Sequence, residues 1–161
     1  VMAKLEYFGI DEYINDIRSA LSESGVLAMS KEAVYEGQRV AADKIRSTIE
    51  SWPTQKDAKN GMTKTEKKAL LSCLGTSSIK YDGQDVAGKI GFAGYGSHPT
   101  QTWPKGVPIP LTARSLIHGT SWRKKDDFMK KAVSGLSSEV EKAMEEKIDQ
   151  RLKQIADDKN I

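Results

Sequence analysis

Apolar residues recur every three or four positions over most of this chain and every second position over one short stretch, so the pattern predicts helices around a hairpin. After a few extended-type residues, Ile10, Tyr13, Ile14, Ile17 and Leu21 keep helical spacing, which places a strand and an amphipathic helix within 2–25. Ser22, Ser24 and Gly25 interrupt that period. Leu27, Val34, Ala41, Ile45, Ile49 and Trp52 form a second row, with the small residues Gly37 and Ala42 near it, and predict a long helix over 26–53. Pro53 stops it, because proline has no N–H to give a helix and pushes the preceding residue out of helical angles.

Residues 54–75 read as a polar loop and a short helix. Thr63 and Glu66 stand at capping-box spacing before Leu70, Leu71 and Leu74, with Gly75 as the expected stop. Over 76–94 the period changes to two. Ile79 and Tyr81 alternate with polar residues, Asp82-Gly83 supplies a turn, and Val86, Gly88, Ile90 and Phe92 alternate back, predicting a hairpin with one apolar face.

Residues 94–110 have no period and are punctuated by Gly94, Gly96, Gly106, Pro99, Pro104, Pro108 and Pro110. Irregular stretches of about 17 residues are uncommon inside a compact domain and tend to carry function. Residues 111–122 read as a sheet-to-helix connection that opens with a short helical or extended segment ended by Gly119. The last row runs through Phe128, Ala132, Leu136, Val140, Ala143, Met144, Ile148, Leu152 and Ile155, predicting one helix over 126–157. A helix of about 30 residues extends ~45 Å, more than a small globule needs. The fold class expected is α+β: a small, mostly antiparallel sheet packed against two long helices in a single domain, 1–161.

Composition narrows the chemistry. The length of 161 residues suits one domain with a real core. No apolar run approaches the ~20 residues of a membrane-spanning helix, and the start lacks the pattern of a secretory signal, so a soluble cytosolic product without membrane partners is expected. Val1 reads as an addition before Met2. The chain has one cysteine, Cys73, and two histidines, too few for an internal disulfide or a cysteine-rich metal site.

A Cys73–His118 hydrolase pair is conceivable, but Cys73 lies on the apolar side of "ALLSCL" and reads as a small core residue, and His118 as a structural one. "GFAGYGSHP" lacks the Gly-Lys-Ser/Thr end of a P-loop, and Tyr95 and Pro99 flank Ser97 where a nucleophile elbow needs glycines. No catalytic, cofactor or metal residues are therefore assigned, and the chain is not expected to be an enzyme.

Lysines gather over 56–68 and again, with Arg123, over 123–131, but acids dilute both clusters. They read as a solvated face allowing at most weak or transient DNA contact, with a basic nucleic-acid-binding protein as the alternative function. Trp103 and Trp122 carry the stronger interaction signal, since tryptophan buries a large rigid apolar surface at interfaces.

The order of these elements resembles a known family. A "GIDEYI" start, a helix ending "AADKIRSTIESWPT", the strand entry "LLSCLGTSSIKY", a strand finishing "GFAG", and "ARSLIHGTS" followed by "DDFMKKAV" are similar to the small tail-completion, or head-tail joining, proteins of long-tailed bacteriophages and prophages. The family's segment close to Glu-Phe-Gly-Thr aligns with Ile117, His118, Gly119 and Thr120. Its Pro-Phe-x-x-x-Ala aligns with Asp127, Phe128 and Ala132, so His118 and Asp127 depart from the pattern, and residues 54–74 are longer than the usual connection.

The resemblance implies a tail-terminator-like fold and a ring of six copies in the virion neck at the head-proximal end of the tail, reached from the bacterial cytoplasm during assembly. The partners implied are further copies of the chain, the tail tube protein and neck connector proteins. Tyr95, His98, Trp103, Lys105, Trp122 and Arg123 are then the expected contacts to a neighbouring subunit or the tube. Gly119 and Thr120 are expected to turn the chain from sheet to helix, Asp126 or Asp127 to cap, and Phe128 to lock the last helix to the core.

Overall fold

A computed structural model describes residues 15, 18, 19 and 21–158. The strand and helix expected before Ser22 lie outside the described residues, apart from residues 15, 18, 19 and 21. Helix α1 (Glu23–Ser51) begins at Ser22, whose side chain accepts from the Gly25 N–H, and ends at Trp52 before Pro53. Residues 54–63 form a loop with one 3-10 turn, Ala58–Asn60, followed by helix α2 (Lys64–Cys73). The capping box forms as the spacing predicts: Thr63 Oγ1 accepts from the Glu66 N–H, and Glu66 accepts from the Thr63 N–H.

The hairpin differs from expectation in where it starts and how it pairs. Strand β1 (Leu74–Thr76) leaves α2 directly, so Gly75 lies inside a strand instead of ending the helix. It pairs antiparallel with β4 (Ile90–Phe92), Leu74 opposite Phe92. Beyond a gap, β2 (Lys80–Tyr81) pairs antiparallel with β3 (Val86–Ala87). One predicted hairpin is thus two short ladders in series. At the gap, Gln38 Nε2 donates to the carbonyls of Ser77 and Lys89 at 3.3 and 3.1 Å. That bond fastens the hairpin to α1, and Gly88 permits it, because a Cβ there would collide with the Gln38 amide.

Helix α3 (Ile109–His118) begins earlier than the connection expected at 111, with Pro110 in its first turn, where a missing N–H costs nothing. The expected single C-terminal helix is two. Helix α4 (Phe128–Val133) stops at Ser134, Gly135 takes left-handed angles (φ 69°), and helix α5 (Leu136–Asp157) begins. The apolar spacing itself contains the reason. Steps of four residues, Phe128 to Ala132 to Leu136 to Val140, drift by about 40° each on a helix of 3.6 residues per turn. By Val140 the row has turned about 120° away from Phe128. A straight helix cannot keep both on one face, and the glycine turn resets the phase.

Helices α1 and α5 run antiparallel. Lys44 pairs with Glu139 at one level, and Gly37 meets Val140 and Met144 at the next, where an added Cβ would lie 3.1 Å from both side chains. The neighbouring Gln38 holds the hairpin, so one turn of α1 carries both partners. The fold is α+β, with the core at the C-terminal end of α1: Ile49, Met62, Leu70, Leu116 and Phe128 are sealed from solvent. Phe92 packs edge-on against Phe128, with centroids 6.2 Å apart.

Candidate functional site

Residues 119–127, between α3 and α4, are where the long-range polar contacts converge. Gly119 (φ 74°) ends α3, and Thr120 closes the next turn: its N–H donates to the Arg123 carbonyl at 2.9 Å while its hydroxyl accepts from the Arg123 N–H at 3.1 Å. Gly119 and Thr120 therefore turn the chain from helix to helix, and the expected sheet-to-helix turn is corrected. Asp127 caps α4 by accepting from the Lys130 N–H. Asp126 does something the sequence did not suggest. Its carboxylate accepts from Trp52 Nε1 at 3.0 Å and from the Met62 N–H at 2.7 Å, tying the end of α1 and the 54–63 loop to the connection.

Arg123, expected on an interface, is 4% exposed and belongs to the interior. Its Nη2 reaches the two oxygens of Glu66 at 2.6 and 2.5 Å and the Gly61 carbonyl at 3.2 Å, and Nη1 donates to Ser115 Oγ at 2.9 Å. The correction has a clear cause. A guanidinium leaves water only where fixed acceptors surround it, and the capping Glu66, the loop carbonyl and the α3 serine are assembled by the fold alone. Arg123 Nε is buried without a hydrogen-bond partner among the described residues.

Over this pair lies a cleft of about 360 Å³ between α2, α3 and the 94–108 loop. Ala69, Val107 and Ile109 give it an apolar lining, Glu66 and Arg123 a polar floor, and His98 and Trp122 also line it. Trp122 is 56% exposed, and the Arg123 guanidinium carbon stands 5.5 Å from its ring centroid. Three of the expected contact residues, His98, Trp122 and Arg123, thus meet at one cleft. Tyr95, Trp103 and Lys105 do not line it and are exposed on the loop.

That loop has no helical or sheet period but is closely held. The Gly96 N–H donates to the Val107 carbonyl at 2.8 Å, the Ile109 N–H to Gly94 at 3.0 Å, and Thr100 and Trp103 exchange backbone bonds at 2.9 and 3.1 Å. Gly106 (φ 96°) packs on Gly96 so closely that any Cβ would strike the Gly96 carbonyl. A fixed loop thus holds Trp103, 39% exposed, and Tyr95, 56% exposed, toward solvent.

Cys73 Sγ has Ser72 Oγ 3.8 Å away, and no hydrogen bond among the described residues joins it to His118. No group of three or more potential metal ligands occurs among the described residues, and no described helix is long and apolar enough to cross a membrane. Sequence reasoning missed the second role of Glu66, the tie made by Asp126 and the burial of Arg123. Only the capping-box spacing hinted at any of these. Compared with family models, curated proteins and solved structures, the chain matches none.

Proposed function

We propose that this chain is a non-catalytic structural subunit of a phage virion, a ring-forming neck protein that completes the tail and joins it to the head. The observation that carries the reading is the 94–108 loop, fixed by its own backbone bonds, which presents Trp103 and Tyr95 beside an apolar cleft. A ring closes through a heterologous interface, in which one surface of each subunit meets a different surface of the next. In this reading the exposed Trp103 and Tyr95 supply one such surface and the cleft the other. The similarity of the "IHGT" and "DDFMKKA" segments to tail-completion proteins supplies the virion context and the expected copy number of six.

The test is electron microscopy of particles made when the encoding phage or prophage carries an early stop codon in this gene. Filled heads beside detached tails are expected, and overlong tails would assign the terminator position within the neck. Normal virions would end the reading. Trp103→Ala, with the fold checked by circular dichroism, is expected to weaken ring assembly, measured by sedimentation.

A further inference from the structure

The fold brings the two lysine-bearing segments together. The Lys124 N–H donates to the Lys59 carbonyl at 2.9 Å, joining them backbone to backbone. Lys67 Nζ, from the first segment, donates to the Trp52 carbonyl at 2.8 Å, and Lys131 Nζ, from the second, lies 6.0 Å from the Trp52 ring centroid. One face around the end of α1 thus collects cations from segments about 60 residues apart in sequence.

The charge balance is lopsided. Residues 56–68 and 123–131 hold ten lysines and arginines against four acids, an excess of six in a chain whose total is +3, so the remainder is net acidic by three. The four acids, which in the sequence dilute the clusters, are engaged. Glu66 is bonded to Arg123 and the Thr63 N–H, Asp126 to Trp52 and Met62, Asp57 to the Lys59 N–H, and Asp127 to the Lys130 N–H and to Lys125 at 3.6 Å. Lys56, Lys59, Lys124 and Lys131 are exposed and have no carboxylate within 4.0 Å among the described residues.

We infer that this face is a docking surface for the phosphate backbone of duplex DNA. The basis is charge complementarity. A duplex carries one negative charge per ~1.7 Å of axis, so ammonium groups spread over a face all find phosphates, and released counterions drive the binding. The inference does not depend on ring formation or on the virion reading.

The test measures affinity for a short DNA duplex of arbitrary sequence across a salt series. About four phosphate contacts predict a slope of about −3.6 in log K against log[salt], roughly a 150-fold loss between about 50 and 200 mM salt. The fourfold variant Lys56→Gln, Lys59→Gln, Lys124→Gln, Lys131→Gln should keep its circular dichroism and lose nearly all of that slope. A control with the same charge change elsewhere, Lys31→Gln, Lys80→Gln, Lys142→Gln, Lys153→Gln, should retain most of it. Equal losses in both variants, or no DNA binding at about 50 mM salt, would overturn the inference. Binding to phosphatidylserine vesicles without binding to DNA would overturn it as well and assign the face to anionic lipid.

Discussion

The two ends of α1 are built differently. At its C-terminal end, Ile49, Met62, Leu70, Leu116 and Phe128 are sealed from solvent, and Glu66, Arg123 and Asp126 stitch four segments around them. Toward its N-terminal end, α1 packs on the antiparallel α5, none of whose residues is fully buried. Ion pairs on this arm, such as Arg39 with Glu36 and Asp43, are solvent-exposed and worth little each. The contrast separates two ways of holding a helix. One end is fixed by a shaped core and desolvated polar contacts, the other by a seam of small and flexible apolar residues.

Perturbing the sealed end should give the largest effects. Phe128→Ala is expected to cost about 3–5 kcal/mol by denaturant unfolding, and Arg123→Ala a similar amount because Glu66 is left without its cation. A cost under about 1 kcal/mol for both would erase the distinction between the ends.

The Gln38–hairpin contact lies between the two ends and should give an intermediate value. Gly88→Ala displaces the Gln38 amide from two carbonyls and is expected to cost about 1–3 kcal/mol. Gln38→Ala removes the collision, so the double variant should be more stable than additivity predicts. Strict additivity would mean that the two residues do not meet.

On the arm, Leu152→Ala should change stability by no more than about 0.5 kcal/mol, and amide exchange should be faster in the last turns of α5 than in α2 or α3. The smallest effect belongs to the hairpin tip. Asp82 accepts from the backbone N–H groups of Asp85 and Gln84, which hold its carboxyl below the usual range. The support it gives is present above the unfolded carboxyl pKa of about 3.9 and fades as pH falls through the lower folded value. Amide shifts of Gln84 and Asp85 that stay constant below about pH 4 would remove this link.

The sealed end is also where the sequence was least legible. Period, proline and capping spacing located α1 with its stop before Pro53 and the start of α2, since these depend on residues within a few positions of each other, whereas Gly75, the expected stop of α2, lies inside β1. Arg123 looked like one more exposed cation because its acceptors, Glu66, Gly61 and Ser115, lie 57, 62 and 8 residues away. Asp126 and Asp127 were interchangeable as caps until the Trp52 indole claimed one of them. The break in the last helix was missed: the apolar row predicted one helix over 126–157, although its three steps of four residues from Phe128 to Val140 drift out of phase across Gly135. The exposure of Trp103 was legible in its loop, but the backbone bonds that fix that loop were not.

The turn at Ser134 and Gly135 has a mechanical consequence. A continuous helix would make α5 a rigid lever ending at Phe128, so a sideways force on its tip would be transmitted to the core as torque. Two non-helical residues, with nothing within 4 Å of where a Gly135 Cβ would sit, act as a compliant link in that lever. Load applied to α5 is therefore expected to bend the chain at the link before it reaches the anchor at Phe128.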